Sequence, residues 1–209
     1  ENEVLTLPPV HVSSASLSLK AGWANPTPWM PPYMGTPKLY WLRTELMRDG
    51  QVVDRVFTRF GFREVWTEGK LLPLNSQRLW VVGNYNAWLN PLRYNNDRRP
   101  IACDIRAMQE SGINALHGHW DDLGRPTMEL CDEMGMLVVG AFYCSGQMSI
   151  RPPMGEGWPE WLQVTAEEWI KENRIHPSMV ILRPVCGLPP GNIEKFGGSE
   201  AIIAKLTKG

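Results

Sequence analysis

The sequence predicts a β-sandwich remnant over residues 1–62, followed by an α/β region over residues 63–209. Three observations support this fold class. The first region alternates apolar and polar residues with a period of two, which is typical of half-buried strands. The second region alternates short apolar runs with amphipathic stretches of helical period. Turn-forming residues separate the segments in both regions.

The first region contains a clear hairpin signal. Residues 38–47 alternate apolar and polar side chains, and Asp49-Gly50 predicts a two-residue turn. Residues 51–60 then form the predicted partner strand. Residues 14–20 alternate in the same way and predict an earlier strand, whereas the prolines between residues 26 and 37 predict a long loop.

A second hairpin is predicted where the two regions meet. Residues 63–67 and 70–74 flank Glu68-Gly69, and Asn75-Ser76 turns the chain into residues 78–82.

Strand and helix patterns then alternate to the end of the chain. Four such pairs in series predict a parallel sheet with right-handed connections, either a barrel or a doubly wound sheet. Residues 83–86 read Gly-Asn-Tyr-Asn rather than a glycine-rich phosphate loop, which disfavours a dinucleotide-binding fold. The predicted strands are 79–83, 113–116, 137–142 and 179–182, and the predicted helices are 99–111, 126–134, 159–173 and 193–205.

The composition of the chain disfavours several classes of partner. The formal net charge is −1, so nothing favours nucleic acid, and no apolar run reaches the length that would place the chain in a membrane. The four cysteines form no CxxC pair, which argues against a zinc site and for free thiols. The cysteines leave the compartment open, with an extracellular or periplasmic location favoured over the cytoplasm. Ten tryptophans suggest either sugar stacking or core packing.

Five segments carry a resemblance to a known family. In chain order they are Pro37–Tyr40 (PKLY), Arg59–Glu64 (RFGFRE), Gly112–Ala115 (GINA), Glu129–Val138 (ELCDEMGMLV) and His176–Ser178 (HPS). Together they resemble glycoside hydrolases of family two, of the β-galactosidase, β-mannosidase and exo-glucosaminidase type. The resemblance implies that residues 1–62 end an immunoglobulin-like domain and that residues 63–209 form the first half of a (β/α)8 TIM barrel. It also implies a carbohydrate partner and hydrolysis of O-glycosidic bonds.

The chain departs from the family at the position of the catalytic acid. In the family, the strand after His-Pro-Ser leads into Asn-Glu, where Glu is the general acid/base, but here those positions are Cys186 and Gly187. The family's nucleophile lies on a later strand, beyond Gly209. The resemblance therefore transfers the fold and neither catalytic carboxylate. A non-catalytic glycan-binding or structural relative is the alternative function.

Barrel enzymes place their sites at the carboxyl ends of the strands. This rule predicts the substrate-binding residues without help from the family. They are Asn84, Trp88, His117, His119, Trp120, Tyr143 and Arg183. The tryptophans would stack on sugar rings or cap the barrel rim, and Arg183 would pair with a carboxylate or bind an anionic group.

Candidate acids are few. Retaining glycosidases need two carboxylates about 5 Å apart. Asp121 and Asp122 form the only acidic pair at a predicted strand end, and Glu194 is the nearest acid after Gly187. Adjacent carboxylates in an extended segment point apart, so a helix-capping role for the pair is preferred, because Gly124 and Pro126 follow closely.

His117 and His119 share one strand face, and two imidazoles in that spacing could bind a metal. No third ligand matches, so hydrogen bonding to a substrate or to a neighbouring carboxylate is the preferred role, and no metal or cofactor is predicted.

Four predicted strands are half of the eight that close a barrel. The outer strands would leave unpaired backbone groups, which recruit other chains. We therefore expect other chain segments, or a second copy in a homo-oligomer, to complete the barrel. The chain is expected to be part of something larger, such as a fragment or a cleaved subunit.

Overall fold

The computed structural model describes residues 5–14, 17–85, 97–118, 123–141 and 158–183. These residues form three sheets, ordered β1-β2, β3-β4 and β5-β6-β7-β8, together with three helices. The strands are β1 (Tyr40–Arg48), β2 (Gln51–Phe60), β3 (Pro73–Leu74), β4 (Gln77–Arg78), β5 (Gly83–Tyr85), β6 (Ala115–His117), β7 (Leu137–Ala141) and β8 (Met179–Arg183). The helices are α1 (Arg98–Glu110), α2 (Arg125–Met134) and α3 (Trp158–Asn173).

The predicted hairpin is confirmed. β1 and β2 pair antiparallel from Tyr40 opposite Phe60 to Arg48 opposite Gln51. Asp49 and Gly50 both have positive φ angles, 50° and 77°. That pair of conformations matches the right-handed twist of the flanking strands, which is why Asp-Gly closes two-residue hairpins.

The predicted strand at residues 14–20 is wrong over the part that the structure describes. Residues 17–20 belong to no strand. Leu17 and Leu19 alternate as expected, yet their side chains are 45% and 55% exposed. An alternating pattern makes a strand only where a neighbouring strand pairs with its backbone groups.

The second predicted hairpin forms only in part. Asn75 and Ser76 have φ angles of 48° and 67° and turn β3 into β4. Upstream, the pairing predicted between residues 63–67 and 70–74 consists of two isolated bridges, Val65–Leu74 and Glu68–Leu71.

The parallel sheet is confirmed. β5, β6, β7 and β8 are neighbours in chain order, and each adjacent pair is parallel. The first strand lies at Gly83–Tyr85, later than the predicted 79–83. The N–H of Leu79 donates to the carbonyl of Leu72 in the preceding hairpin. The backbone at residue 79 is therefore bonded to the hairpin rather than to the parallel sheet. The four described strands show a parallel sheet; its closure into a (β/α)8 barrel stays a prediction.

The two faces of the sheet bury different clusters. Leu116, Val138 and Met179 pack under the helices, with Ile101, Ile105 and Met108 of α1, Met128, Leu130 and Cys131 of α2, Met136, and Trp169 of α3. Ile101, Ile105 and Met108 form the buried apolar face of α1. The opposite face carries Ala115, Leu137 and Val180, clustered with Trp29, Met30, Leu74 and Leu79. Residues from both sides of position 62 thus share one core, and the domain boundary at 62 stays a prediction.

The helix ends follow local rules. α1 begins after Asp97, whose side chain accepts a hydrogen bond from Arg99 N–H. Hydrogen bonds from Arg99 lower the pKa of Asp97 to about 2. α2 has Pro126 in its first turn and ends at Gly135 in the left-handed conformation. Among the described residues, no helix combines the length and apolarity needed to span a bilayer.

Gly135 gives a first testable prediction. Its φ is +72°, and an added Cβ would lie 2.4 Å from Pro32 Cδ and 3.2 Å from Pro31 Cα. We expect Gly135→Ala to lower the free energy of unfolding by about 2–4 kcal/mol, combining left-handed strain with overpacking. Urea denaturation measures the change.

Gly112→Ala is the matched control, because Gly112 has φ +80° with nothing within 4 Å of an added Cβ. It should lose only the strain, about 1–2 kcal/mol. Equal losses for the two variants would show that the contact with Pro32 does not constrain Gly135.

Candidate functional site

The candidate site is the carboxyl edge of the parallel sheet. β5 ends at Tyr85, β6 at His117, β7 at Ala141 and β8 at Arg183. The register places Tyr85 beside His117 and Ala141 beside Arg183, so the four strand ends meet along one edge. Binding sites of parallel α/β folds form at this edge, because loops from several strands converge there.

His117 lies on the sheet face away from the helices. Successive strand residues point to opposite faces, and its neighbour Leu116 is buried in the cluster beneath the helices. His117 therefore shares a face with Ala115, which belongs to the opposite cluster. The imidazole is half-buried at the end of that face. A group in this position can exchange hydrogen bonds with a ligand bound over the strand ends.

Asn84 points to the opposite face of the sheet from His117. It pairs in register with Leu116, and its Nδ2 lies 3.8 Å from Met108 Sδ of α1. The sequence placed Asn84 in a loop after a strand ending at Gly83, whereas it is the middle residue of β5. Strand alternation then turns its side chain towards the helices. Its role in substrate binding stays a prediction.

Most other predicted site residues lie outside the described residues. They are Trp88, His119, Trp120, Asp121, Asp122, Tyr143 and Glu194, as are Cys186 and Gly187. Arg183 is placed by its backbone as the last residue of β8. The roles of all of these residues stay predictions. Within the described ranges, no group of three or more His, Cys, Asp or Glu side chains is arranged to hold a metal ion.

The best-defined polar cluster surrounds Asp132, which is 3% exposed. Asp132 Oδ1 accepts hydrogen bonds from Ser178 N at 3.1 Å and from Ser178 Oγ at 2.6 Å. Asp132 Oδ2 lies 2.6 Å from His176 Nδ1. The sequence pointed to these residues only through the family motifs, CDE in α2 and HPS before β8. In the structure the carboxylate of Asp132 joins these two segments.

This cluster is structural rather than nucleophilic. The hydroxyl of Ser178 donates to Asp132, whereas a Ser-His-Asp relay needs the hydroxyl to bond the imidazole. The cluster also lies at the amino ends of the strands, because Ser178 directly precedes β8 and Asp132 precedes β7. Its role is to hold the end of α2 against the turn before β8.

Arginines of the RFGFRE segment extend the cluster towards the hairpin. Arg59 donates to Glu133 Oε1 and, at 2.9 Å, to the carbonyl of Glu129. Arg98 of α1 donates to Glu129 Oε2 at 2.9 Å and to Glu133 Oε2 at 2.6 Å. Burial acts to raise the pKa of Glu133, but hydrogen bonds from Arg59 and Arg98 outweigh it and the pKa is lowered. These contacts connect β2, α1 and α2.

Arg63 belongs to the same region. Burial lowers the pKa of Arg63, and the negative charge of Asp132 partly opposes that effect. Its Nε is buried without a hydrogen-bond partner among the described residues. The buried charge of Asp132 thus faces two arginines, since Arg59 Nη2 lies 3.9 Å from Asp132 Oδ2.

Residues 6–63 match the family model of glycosyl hydrolases family 2. Over 181 residues the chain is 26% identical to a putative beta-glucuronidase of Formosa agariphila, covering 81% of this chain and 16% of that protein. It is 30% identical over 164 residues to a beta-galactosidase of Streptococcus thermophilus, covering 70% of this chain and 15% of that protein. The chain resembles the family 2 glycosyl hydrolases.

Solved structures of family 2 glycosyl hydrolases and related enzymes share the fold. Beta-glucuronidase 3 of Bacteroides uniformis matches with a TM-score of 0.65 at 21% identity, over 87% of this chain and 23% of that one. The exo-chitosanase of Amycolatopsis orientalis matches with a TM-score of 0.62 at 21% identity, over 86% of this chain and 22% of that one. The chain thus spans about a sixth of the curated relatives and about a quarter of these structures.

The resemblance read from the five motifs is confirmed by these matches. The segment that matches the family model includes Arg59, and the related stretch of 181 residues exceeds the matched 6–63 by far. The relation to family 2 glycosyl hydrolases therefore continues into the parallel sheet.

Proposed function

We propose that this chain acts on carbohydrate as one part of a glycosidase of the family 2 type, and that the carboxyl edge of the parallel sheet binds the sugar. The observation that carries the proposal is the sequence relation to a putative beta-glucuronidase over 81% of the chain. Barrel enzymes bind their ligands at the carboxyl ends of the parallel strands. Among the described side chains, His117 is therefore the best placed to contact a sugar.

In the proposed site, His117 hydrogen-bonds a sugar hydroxyl. The chain supplies further candidate groups after the same strands, with aromatic rings for stacking and polar groups for hydroxyls. They are Trp88, His119, Trp120, Tyr143 and Arg183. Asn84 stays a predicted member of this set, although its amide contacts Met108.

Hydrolysis needs two carboxylates, one to protonate the leaving oxygen and one to attack the sugar. At the position where the family carries its acid, this chain has Gly187, which cannot donate a proton. We therefore propose that the 209-residue chain alone binds sugar without cleaving it. This same observation favours the second candidate function, a non-catalytic glycan-binding relative.

The turnover test separates these possibilities. The pure chain is incubated with nitrophenyl β-galactoside, β-glucuronide and β-glucosaminide, and release of nitrophenol is followed. No release above the uncatalysed rate is expected. Clear turnover would contradict the proposal, and substituting Asp121, Asp122 and Glu194 with alanine in turn would then locate the acid.

The binding test concerns His117. Loss of one hydrogen bond to a ligand costs about 1–1.5 kcal/mol, so we expect His117→Ala to weaken sugar affinity about tenfold. Isothermal titration with galactose, glucuronic acid and glucosamine measures the affinity.

His11→Ala is the control, because His11 is exposed in the segment before β1. It should leave the affinity unchanged. If both variants bind like the original chain, or both lose affinity to the same degree, His117 does not contact the sugar.

We also propose that other chain segments or a second copy pair with the outer strands β5 and β8. Within the described ranges each of these strands has one paired edge. Light scattering of the chain with increasing concentration tests whether a second copy is the partner.

A further inference from the structure

The strand β8 contains a β-bulge close to the carboxyl edge of the sheet. Val138 pairs with Met179, but the next residue, Val139, pairs with Ile181, so Val180 is an extra residue opposite β7. The side chains agree with this register. Val180 is buried and Ile181 is partly buried, and both pack in the cluster on the face away from the helices. Consecutive residues of a regular strand would point to opposite faces.

The bulge decides on which face β8 ends. Met179 packs beneath the helices, and regular alternation from there would place residue 183 on the same helix side. With one extra residue in the strand, the register instead puts Arg183 opposite Ala141 of β7. Position 183 therefore lies on the face away from the helices. Bulges are over-represented beside active sites, where they change the face that a residue presents.

That face also carries His117, the residue proposed above to contact a sugar hydroxyl. His117 pairs with Val139, which pairs with Ile181, two residues before Arg183. From the spacing of strands and the rise per residue, the Cα atoms of His117 and Arg183 are about 12 Å apart. Two long side chains anchored at that separation can contact one sugar bound between them.

The chain immediately before the bulge is held by hydrogen bonds. Ser178 donates from its backbone N and from its Oγ to Asp132 Oδ1. The carbonyl of Ser178 accepts from Val138 N at 2.7 Å. The start of β8 cannot slip by one residue without breaking these bonds, so the register that gives position 183 its face is fixed from the amino end of the strand.

An arginine at this position lacks a carboxylate partner on its own face of β6, β7 and β8. Within these three described strands, the other residues of that face are His117 and a set of apolar residues, which are Ala115, Leu137, Val139, Ala141, Val180 and Ile181. A charge that is removed from water without a partner is costly. The guanidinium group presents its donors in a planar fork that matches the oxygens of an anionic group.

We infer that the sugar site at the carboxyl edge selects anionic sugars, and that Arg183 determines this specificity by binding the carboxylate of a uronic acid or the sulfate of a sulfated sugar. The inference rests on the proposed function, because it concerns the same site and adds the charge of the ligand. His117 binds a hydroxyl of the same sugar. A neutral sugar leaves the guanidinium without a counter-ion.

The test compares glucose, glucuronic acid and glucose 6-sulfate as ligands of the 209-residue chain by titration calorimetry. The first sugar is neutral, and the other two carry the two candidate anions on a similar ring. A hydrogen bond between charged groups changes affinity by about tenfold or more. At least one of the anionic sugars should therefore bind at least tenfold more tightly than glucose, and the tighter of the two identifies the anion.

Substitutions of Arg183 test whether this residue is the cause. Arg183→Gln should reduce the affinity for the preferred anionic sugar to that for glucose and leave the affinity for glucose unchanged. Arg183→Lys keeps the charge but not the fork, and should retain part of the preference. Arg174→Gln is the matched control, because Arg174 is exposed in the turn before β8. It should leave all three affinities unchanged.

The outcomes separate the inference from the proposed function. If glucose binds as tightly as both anionic sugars and loses affinity in His117→Ala, the sugar site stands and the inference is wrong. The same holds if galactose or glucosamine binds and none of these three sugars does. If no sugar binds at all, both are wrong.

Two further results would overturn the role of Arg183. One is an equal loss of the preference in Arg174→Gln, since the net charge of the chain would then explain it. The other is an unchanged preference in Arg183→Gln together with a lower free energy of unfolding in urea, since Arg183 would then pair with a carboxylate of the protein.

Discussion

Replacing Trp29 with alanine is expected to lower the free energy of unfolding by about 3–5 kcal/mol, the range for truncating a fully buried aromatic residue. Trp29 is 0% exposed and belongs to the cluster that contains Ala115 and Leu137. Its Nε1–H also donates to the carbonyl of Asp132 at 2.8 Å. The substitution thus leaves both a cavity and a buried carbonyl without its donor. Urea denaturation followed by circular dichroism measures the loss.

Trp41→Ala is the control, because it removes the same side chain from an exposed position. Trp41 is 58% exposed on β1, so its removal should cost less than about 1 kcal/mol. A loss for Trp29→Ala no larger than that for Trp41→Ala would show that the Trp29 cluster does not hold the fold together.

Replacing Asp132 with alanine is expected to cost a similar amount, about 3–5 kcal/mol, because it removes one partner of a buried charge network. Ser178 N and Oγ lose their acceptor. His176 and the half-buried Arg63 lose the neighbouring negative charge. Asp132→Asn keeps an acceptor for Ser178 and should lose less than the alanine variant. The same denaturation experiment ranks the two.

Glu133→Ala, at the next position, separates buried from exposed ion pairs. Glu133 is 36% exposed in its side chain and pairs with Arg59 and Arg98, so its loss should cost about 1 kcal/mol or less. Its lowered pKa means that this contribution is present above the ordinary carboxyl pKa and disappears as pH falls through the lowered value. If Glu133→Ala lowers the free energy of unfolding as much as Asp132→Ala does, burial does not explain the contribution of Asp132 to stability.

Much of the parallel sheet could be predicted from the sequence. Helix α1 was expected at 99–111 and lies at Arg98–Glu110, since Ile101, Ile105 and Met108 repeat with the period of a helix. The first strand was misplaced because residues 79–82 are apolar enough for a strand, while their start bonds to the preceding hairpin. Apolar runs alone do not reveal which backbone they pair with.

The candidate site depends on the strand bounds in the same way. His117 and Asn84 were both expected near the carboxyl edge, but shifting the bounds of β5 put Asn84 in the strand and on the helix side. In a strand, an error of one residue reverses the face. Asp132 carried no local signal of burial, because its partners Ser178 and His176 lie 46 and 44 residues away along the chain.

The core shared by Trp29 and Met30 with Ala115, Leu137 and Val180 also bears on how such proteins recombine. The sequence pattern changes near residue 62 from alternating strands to alternating strands and helices. A designer of chimaeras from two relatives would therefore choose this position for the junction. Such a crossover would join the indole of one parent to strand residues of another, and interiors packed as tightly as crystals tolerate few mismatches in volume. Residues 29–30 and the amino ends of β6, β7 and β8 should therefore be inherited together, whichever parent supplies the rest.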